Sequence, residues 1–182
     1  MTNKKQQKIR KINRPPYDNF PFISNDQTSL RQIQNSDVQN LIEISFYDSI
    51  QATSLEQAIE MNSKINRDYE DGNTIHWGIV DNQSNKIVGT CGYYRGFDKE
   101  EGELGCVLLP QYRGQGFMIS AMSLAIEFGI MKIGLNRIWA VTSQQNEKAI
   151  KLLERLNFNK IAIPGDNEVE FELIPTIKTR QL

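Results

Sequence analysis

One short segment constrains the fold of this chain more than any other: Leu-Leu-Pro-Gln-Tyr-Arg-Gly-Gln-Gly-Phe-Met at residues 108–118. A strand-like run ends at Pro110, Gly114 and Gly116 follow in a short loop, and an apolar helix pattern begins directly after them. Glycine lets the backbone approach a ligand closely, and the first N–H groups of a helix have no intrahelical partner. The segment therefore predicts an anion cradle at a helix N-terminus, to which Arg113 adds a positive charge.

Two common nucleotide-binding motifs do not fit this segment. A P-loop requires Lys followed by Ser or Thr after its second glycine, whereas Phe117 and Met118 stand there. The dinucleotide-binding fingerprint requires a third glycine three residues after Gly116, and that position is Ile119. A plain tight turn before a helix shares the Gly-x-Gly pattern, so the surrounding sequence has to decide its meaning.

The residues before this segment predict two helices and an antiparallel meander. Ser36-Asp37 is a helix-capping pair ahead of apolar residues at helical spacing, and Ser54 with Gln57 has the spacing of a capping box. Strand-like runs separated by turn residues complete the region, at residues 29–33, 74–80, 86–95 and 103–109.

The residues after the segment alternate between helices and strands. Residues 118–131 are apolar on nearly every side, as in a helix buried against a sheet, whereas residues 146–156 are amphipathic. Strand-like runs lie at residues 137–142, 159–163 and 169–173. The whole pattern predicts an α+β domain, with a mixed, mostly antiparallel sheet and helices on both faces.

Charge divides the chain into a basic extension at residues 1–27 and an acidic domain at residues 28–182. The first 17 residues contain six Lys or Arg and no acidic residue, whereas the rest contains 15 basic and 22 acidic residues. A chain of 182 residues fits one domain with its own core. The extension either contacts RNA or an acidic partner, for instance at the ribosome, or is a solvated tail that ends at Pro15-Pro16.

Composition excludes several classes of protein. No apolar run approaches the roughly 20 residues of a membrane span, and no apolar segment follows the basic N-terminus, so we expect a cytoplasmic protein. Cys91 and Cys106 lie in strand-like runs without metal-binding spacing, and we expect reduced, buried thiols. His76 is the only histidine, which argues against a metal site and against a Ser-His-acid triad. A lone histidine in a strand is typical of a structural residue.

Several motifs together resemble the GNAT acetyltransferase superfamily. Gln-x-x-Gly-x-Gly at residues 111–116 resembles the acetyl-CoA loop of that family. Asn-x-x-Ala at residues 146–149 begins a helix that closes with Leu-Glu-Arg-Leu-Asn-Phe, similar to the family's Asn-x-x-(Ser/Ala)…Leu-Glu-Lys-x-Gly-Phe segment. Three further runs resemble the branch of ribosomal-protein N-terminal acetyltransferases (RimJ/RimL-like). They lie at residues 77–80, 87–90 and 102–105.

The resemblance implies an acetyl-CoA site. The backbone of Val107, Leu108 and Leu109 would pair with the pantetheine arm where two strands splay apart. Amides of the glycine loop would take the pyrophosphate, from Arg113, Gly114, Gln115, Gly116, Phe117 and Met118. The Asn146 side chain would contact the pantetheine region, cap its own helix, or do both.

The resemblance also suggests where the chemistry occurs. An N–H group of Leu108 or Leu109 would stabilise the developing oxyanion, and Glu103 would deprotonate the amine through water, unless that carboxylate is merely structural. Ala149 and Leu153 replace the Ser and Tyr usually proposed to protonate the leaving thiolate. Tyr94 and Ser143 are the remaining candidates for the acid, and water is the alternative.

These features predict an N-acetyltransferase that acts on a primary amine at a peptide or protein N-terminus. Two alternatives remain open: acetylation of a polyamine or an aminoglycoside, and a non-catalytic acyl-CoA-binding module. We expect the helices within residues 36–70 and the loop at residues 96–101 to shape the acceptor site. The protein is expected to be a monomer or a homodimer.

Overall fold

An eight-stranded mixed sheet organises the protein, which a computed structural model describes over residues 12–161 and 167–175. The strands described are β1 (Ile23–Ser24), β2 (Thr28–Gln32), β3 (Phe46–Tyr47), β4 (Ile50–Gln51), β5 (Ile75–Asp81), β6 (Lys86–Tyr93), β7 (Glu101–Leu108), β8 (Arg137–Ser143), β9 (Asn159–Ile161) and β10 (Glu168–Leu173). The sheet order is β1-β2-β5-β6-β7-β8-β10-β9, and among these described strands only the β7–β8 pair is parallel. The predicted α+β fold with a mostly antiparallel sheet is confirmed.

Four α-helices occupy the two faces of the sheet in the described ranges: α1 (Asn35–Val38), α2 (Leu55–Glu70), α3 (Phe117–Phe128) and α4 (Glu147–Arg155). At the start of α2, the Gln57 N–H donates to Ser54 Oγ at 3.3 Å, as a capping box requires. The Gln57 side chain instead accepts from Thr53, so the second bond of the box shifts by one residue. No helix within these ranges is long and apolar enough to cross a membrane.

The two faces of the sheet carry separate apolar clusters because side chains alternate along each strand. On one face α3 packs against Trp77, Tyr93 and Leu104, and the Tyr93 hydroxyl donates to the Ala125 carbonyl at 2.8 Å. On the other face α1 and α2 form a smaller cluster that contains Ile33, Val38, Leu41 and Ala58. Cys91 is buried and Cys106 partly buried, and both are free thiols.

The stretch at residues 12–24 packs onto the domain. Ile12 is buried, the Tyr17 N–H donates to the Tyr69 hydroxyl at 3.0 Å, and Trp77 Nε1 donates to the Pro21 carbonyl at 2.9 Å. Within residues 12–16, Ile12 and Pro15 are buried, whereas Asn13, Arg14 and Pro16 are exposed, so this part of the extension is anchored at two positions. The charge pattern, which suggests a boundary near residue 28, gives no indication of this packing. Residues 1–11, with five of the six basic residues, lie outside the described ranges.

A small hairpin that the sequence did not suggest lies between α1 and α2. β3 and β4 pair through a turn at Asp48 and Ser49, which have φ angles of 49° and 65°. The Tyr47 hydroxyl donates to Asp68 Oδ2 at 3.0 Å, which ties the hairpin to α2. The hairpin thereby covers one end of the space between α2 and the sheet.

Candidate active site

A fork opens between β7 and β8. Their parallel pairing joins residues 101–103 to residues 137–139 and ends at the Glu103–Trp139 rung. Beyond that rung, within the described ranges, β7 remains paired only with β6, and β8 only with β10. The facing edges of the two strands therefore present backbone groups without a strand partner, and a ligand can satisfy them.

The direction of each backbone amide decides which residues can hydrogen-bond to a ligand in the fork. The Glu103 N–H donates to the Arg95 carbonyl at 2.9 Å, and the Leu109 N–H donates to the Val88 carbonyl at 3.0 Å, both away from the fork. Because hydrogen-bonding direction alternates along a strand, Val107 also bonds toward β6, whereas Cys106 and Leu108 turn their backbone toward the fork.

The hydrogen-bond directions therefore favour Leu108 over the other two predicted residues, Leu109 and Val107. Leu109 is not available as the oxyanion donor or as a pantetheine partner, because Val88 already takes its single N–H group. Val107 cannot pair its backbone with the pantetheine arm for the same geometric reason. Leu108 is the one of the three predicted residues whose N–H faces the fork.

The glycine loop forms the predicted strand–loop–helix junction. A turn at Pro110–Tyr112 follows β7, and both Gly114 (φ 76°) and Gly116 (φ 87°) adopt the left-handed conformation that favours glycine. Gly116 is the N-cap of α3 and provides no capping side chain. In the described part of the chain, no group accepts a hydrogen bond from the N–H groups of residues 114–119.

Arg113 contributes to this loop through its side chain. Its N–H donates to the Pro110 carbonyl at 3.3 Å, so its backbone is less available for pyrophosphate than the unpaired amides that follow it. Its Nε donates to the Leu108 carbonyl at 3.3 Å, which places the guanidinium group between the loop and the fork.

The space in front of the loop is open. A Cβ atom added to Gly114 would meet nothing within 4 Å. The loop is supported from behind by the β1–β2 turn, where Gln27 Nε2 donates to the Gln115 carbonyl at 2.9 Å. Unpaired amides, an open approach and the positive end of α3 together suit a phosphate group.

Asn146 caps α4. Its Oδ1 accepts a hydrogen bond from the Ala149 N–H at 3.2 Å, and its side chain is exposed, so its Nδ2 group remains available as a donor. Leu153 on the same helix is buried, and neither it nor Ala149 carries a group that can transfer a proton.

A cavity of about 640 Å³ lies between the sheet and the helices α1 and α2. Its helical side combines aliphatic side chains with polar ones. The aliphatic residues are Ile33, Val38, Leu41, Ile44, Met61 and Ile65, and the polar ones include Ser45, Asp48, Asn62 and Asp68. Its sheet side is polar and is formed by Thr74, His76, Thr90, Tyr94, Arg95 and Glu103. Val107 of β7 and Val141 of β8 also line it, so the cavity reaches both arms of the fork.

Glu103 lies at the apex of the fork and is paired with Arg95. The Arg95 side chain binds both carboxylate oxygens, and its Cζ atom lies 5.9 Å from the centre of the Trp139 ring. The Glu103 side chain is 14% exposed and that of Arg95 is 73% exposed. The carboxylate is therefore held at the cavity wall while the guanidinium group faces solvent.

Tyr94 and His76 form a contacting pair on the cavity floor. The Tyr94 hydroxyl lies 3.4 Å from His76 Nε2, and the ring centres are 5.4 Å apart. Burial lowers the pKa of His76 to about 4, so the imidazole is neutral at physiological pH. Tyr94 is 38% exposed, and desolvation of its hydroxyl inside the cavity raises the pKa of that hydroxyl above its ordinary value. Tyr94 thus remains a protonated donor.

Comparison with known proteins identifies the family. The Acetyltransferase (GNAT) domain family matches residues 26–159. The uncharacterized N-acetyltransferase YoaA of Bacillus subtilis is 30% identical over 149 residues, which cover 78% of this chain and 84% of that protein.

Solved structures of other acetyltransferases share the fold. A ribosomal-protein-S5-alanine acetyltransferase from Vibrio fischeri superposes with a TM-score of 0.69 at 22% identity, covering 85% of this chain and 96% of the other. A spermidine N-acetyltransferase from Vibrio cholerae superposes with a TM-score of 0.68 at 17% identity, covering 82% and 95%. GNAT acetyltransferases use acetyl-CoA. With its fork, its glycine loop and this family match, the chain belongs to the GNAT acetyltransferase family and is an acetyl-transferring enzyme.

Proposed function

We propose that this enzyme transfers an acetyl group from acetyl-CoA to the α-amine of a peptide or protein N-terminus. The observation that carries the proposal is the meeting of the cavity with the fork, since Val107 and Val141 belong to both. An amine held in the cavity and a thioester held in the fork would therefore be neighbours. Proximity of this kind supplies a large part of the rate enhancement in group transfer.

The residues of the loop and the fork fit acetyl-CoA. The pyrophosphate would be held by the N–H groups of Gly114, Gln115, Gly116, Phe117 and Met118, in the open space in front of Gly114. The Arg113 guanidinium adds a positive charge. The backbone of Cys106 and Leu108 would bond the pantetheine arm, and Asn146 Nδ2 would donate to the same region.

Acetyl-CoA supplies an acetyl group activated as a thioester. We assign to the Leu108 N–H the hydrogen bond that stabilises the developing oxyanion, since this amide faces the fork. Glu103 would accept the proton of the amine through water, because its carboxylate lines the cavity next to the fork. Tyr94 would donate a proton to the departing thiolate.

The cavity walls favour a peptide over a polyamine. A polyamine carries several positive charges, and of the three carboxylates that line the cavity Glu103 is already paired with Arg95, which leaves Asp48 and Asp68. The aliphatic side chains on the helical side of the cavity suit the side chain of an N-terminal residue.

Steady-state kinetics test this choice. Peptides that begin with Ala or Ser are expected to show a kcat/KM at least about tenfold higher than spermidine or an aminoglycoside, a difference of about 1.4 kcal/mol in transition-state binding. Faster turnover of spermidine or the aminoglycoside would contradict the peptide assignment. Binding of acetyl-CoA without turnover of any amine would favour a non-catalytic acyl-CoA-binding module.

A further inference from the structure

We infer that His76 is a positioning residue that holds the Tyr94 hydroxyl as a hydrogen-bond donor facing the acceptor cavity. The inference rests on the proposed function only in that Tyr94 is assigned the donor role there. The geometry of the pair stands independently of it.

The sheet is built to accommodate this pair of rings. His76, Gly92 and Gly105 form one row across β5, β6 and β7, with Gly92 directly opposite both of the others. A Cβ atom on Gly105 would lie 2.5 Å from Tyr94 Cε2, and one on Gly92 would lie 2.9 Å from the His76 Cα. Two adjacent glycines therefore leave the space in which the imidazole and the phenol meet.

The hydrogen-bond partners available to the His76 ring favour one of its two tautomers. A neutral imidazole carries one N–H group, and Nδ1 is buried without a partner in the described part of the chain. A proton on Nδ1 would leave a buried donor unsatisfied, which proteins avoid more strictly than an unsatisfied acceptor. A proton on Nε2 instead donates to the Tyr94 oxygen, so this tautomer is favoured.

The direction of the hydrogen bond from His76 to Tyr94 determines where the phenolic proton of Tyr94 points. Thr90 lines the same cavity. With Nε2–H donating to the Tyr94 oxygen, the Tyr94 O–H bond is directed away from His76 and toward the cavity. Other titratable groups lining the cavity are Glu103, Arg95 and Cys106 on the sheet side and Tyr47, Asp48 and Asp68 on the helical side.

The proton balance follows from this arrangement. When the Tyr94 O–H bond breaks, its proton goes to the thiolate sulfur, and the phenolate is stabilised by the hydrogen bond from Nε2–H. The acceptor nitrogen loses one proton as its new amide bond forms. Glu103 accepts that proton through water and passes it through water to the Tyr94 phenolate, so the enzyme ends each cycle unchanged and His76 keeps its tautomer throughout.

Nitrogen NMR tests the tautomer without any need for turnover. The chain contains one histidine, so ¹⁵N labelling gives a single pair of ring signals that needs no assignment by mutagenesis. We expect a protonated Nε2 and a bare Nδ1 from pH 7 down to below pH 6. A protonated Nδ1, or a doubly protonated ring at pH 7, would overturn the inference. Replacing Tyr94 with Phe should shift the Nε2–H signal, because its acceptor is removed.

A double-mutant cycle tests the coupling in the active enzyme. Tyr94→Phe should lower kcat by about 10²-fold, and His76→Leu by about tenfold. His76→Gln should restore activity to within about threefold of the parent, because the glutamine amide can donate from the Nε2 position. The double variant H76L/Y94F should be no slower than Y94F alone, because His76 acts only through the hydroxyl.

Additive losses in the double variant would overturn the coupling, as would full activity of His76→Leu. Tyr17→Phe is the matched control, since its hydroxyl bonds the Asn13 carbonyl outside the cavity and its loss should leave kcat unchanged. A parent enzyme that turns over no amine would contradict the proposed function, and the ring signals would then still decide the tautomer.

Discussion

Glu103 and Trp139 face each other across the last rung of the parallel β7–β8 ladder, and Arg95 contacts both of them. The rung marks the point where the sheet divides. The ion pair with Arg95 fixes the Glu103 carboxylate at the apex of the fork, next to the cavity. A group that is held at this position can accept a proton from an amine that enters from the cavity side.

Replacing Glu103 with Gln should lower kcat by about 10²-fold near neutral pH, because the amide has the same shape but cannot act as a base. Acetyl-CoA binding should be unchanged, and calorimetry checks this. Glu127→Gln, on the exposed side of α3, is the matched control. An unaltered pH–rate profile in the Glu103 variant would assign this carboxylate a structural role in holding Arg95.

Replacing Gly114 with Val should abolish detectable acetyl-CoA binding in calorimetry, because the branched side chain would occupy the open space in front of the unpaired amides. The substitution also forces Val into a positive φ, at a cost of about 1–3 kcal/mol in stability. Gly134→Val isolates this second effect, since Gly134 has a φ of 87° and equally open surroundings. Equal affinity of acetyl-CoA for the two variants would show that the loop is not its binding site.

Replacing Met61 with Trp should lower kcat/KM for the peptide by at least about tenfold, because the larger side chain reduces the acceptor cavity. The affinity for acetyl-CoA should stay the same, since Met61 lies on the helical side of the cavity. Ile59→Trp is the matched control on α2, where Ile59 is 39% exposed. If both variants acetylated the peptide at the parent rate, the amine would have to bind elsewhere.

His76 should make the protein less stable in mild acid. Its folded pKa of about 4 lies below its ordinary value of 6.5, so the unfolded state binds the proton more readily. The free energy of unfolding should therefore fall as the pH drops from 6.5 toward 4, by at most about 1.4 kcal/mol per pH unit. Asp37 and Asp81 have pKa values below 3.8, so their contribution is lost only at lower pH.

Urea unfolding of the parent and of His76→Gln across this pH range measures the effect. The parent should show the steeper pH dependence, because glutamine does not titrate. Identical slopes for the two proteins would mean that the histidine is as easily protonated in the folded protein as in the unfolded chain.

The glycine loop and most of the sheet could be predicted because their signals are local. Pro110 ends a strand, Gly116 caps a helix, and the apolar periods of the flanking runs are clear in the sequence. The amides that serve the fork could not be predicted. Which amide faces the fork depends on the register of β7 on β6, and a shift of one residue would turn Leu109 toward the fork in place of Leu108. This register is a property of the folded sheet.

The cavity was the least predictable part of the site, because it is assembled from distant segments. Asp48 and Ser49 turn a hairpin without glycine, and strands of two residues leave no periodic pattern. The contact between His76 and Tyr94 depends on Gly92 and Gly105 lying side by side on neighbouring strands. Sequence alone shows only two glycines 13 residues apart. Glycines in predicted strands could have indicated that bulky side chains pack over them. Which side chains these are depends on the strand register, which the sequence does not give.

A bisubstrate analogue tests the central claim most directly, because it must fill the fork and the cavity at once. An Ala-initiated peptide joined through its α-amine to the sulfur of CoA should bind at least about 10²-fold more tightly than CoA alone, and more tightly than a spermidine–CoA conjugate. Gly114→Val and Met61→Trp should each weaken its binding, whereas Met61→Trp should leave the affinity for CoA unchanged. A peptide–CoA conjugate that binds no more tightly than CoA would contradict the account, because the peptide would then gain nothing from the cavity beside the fork.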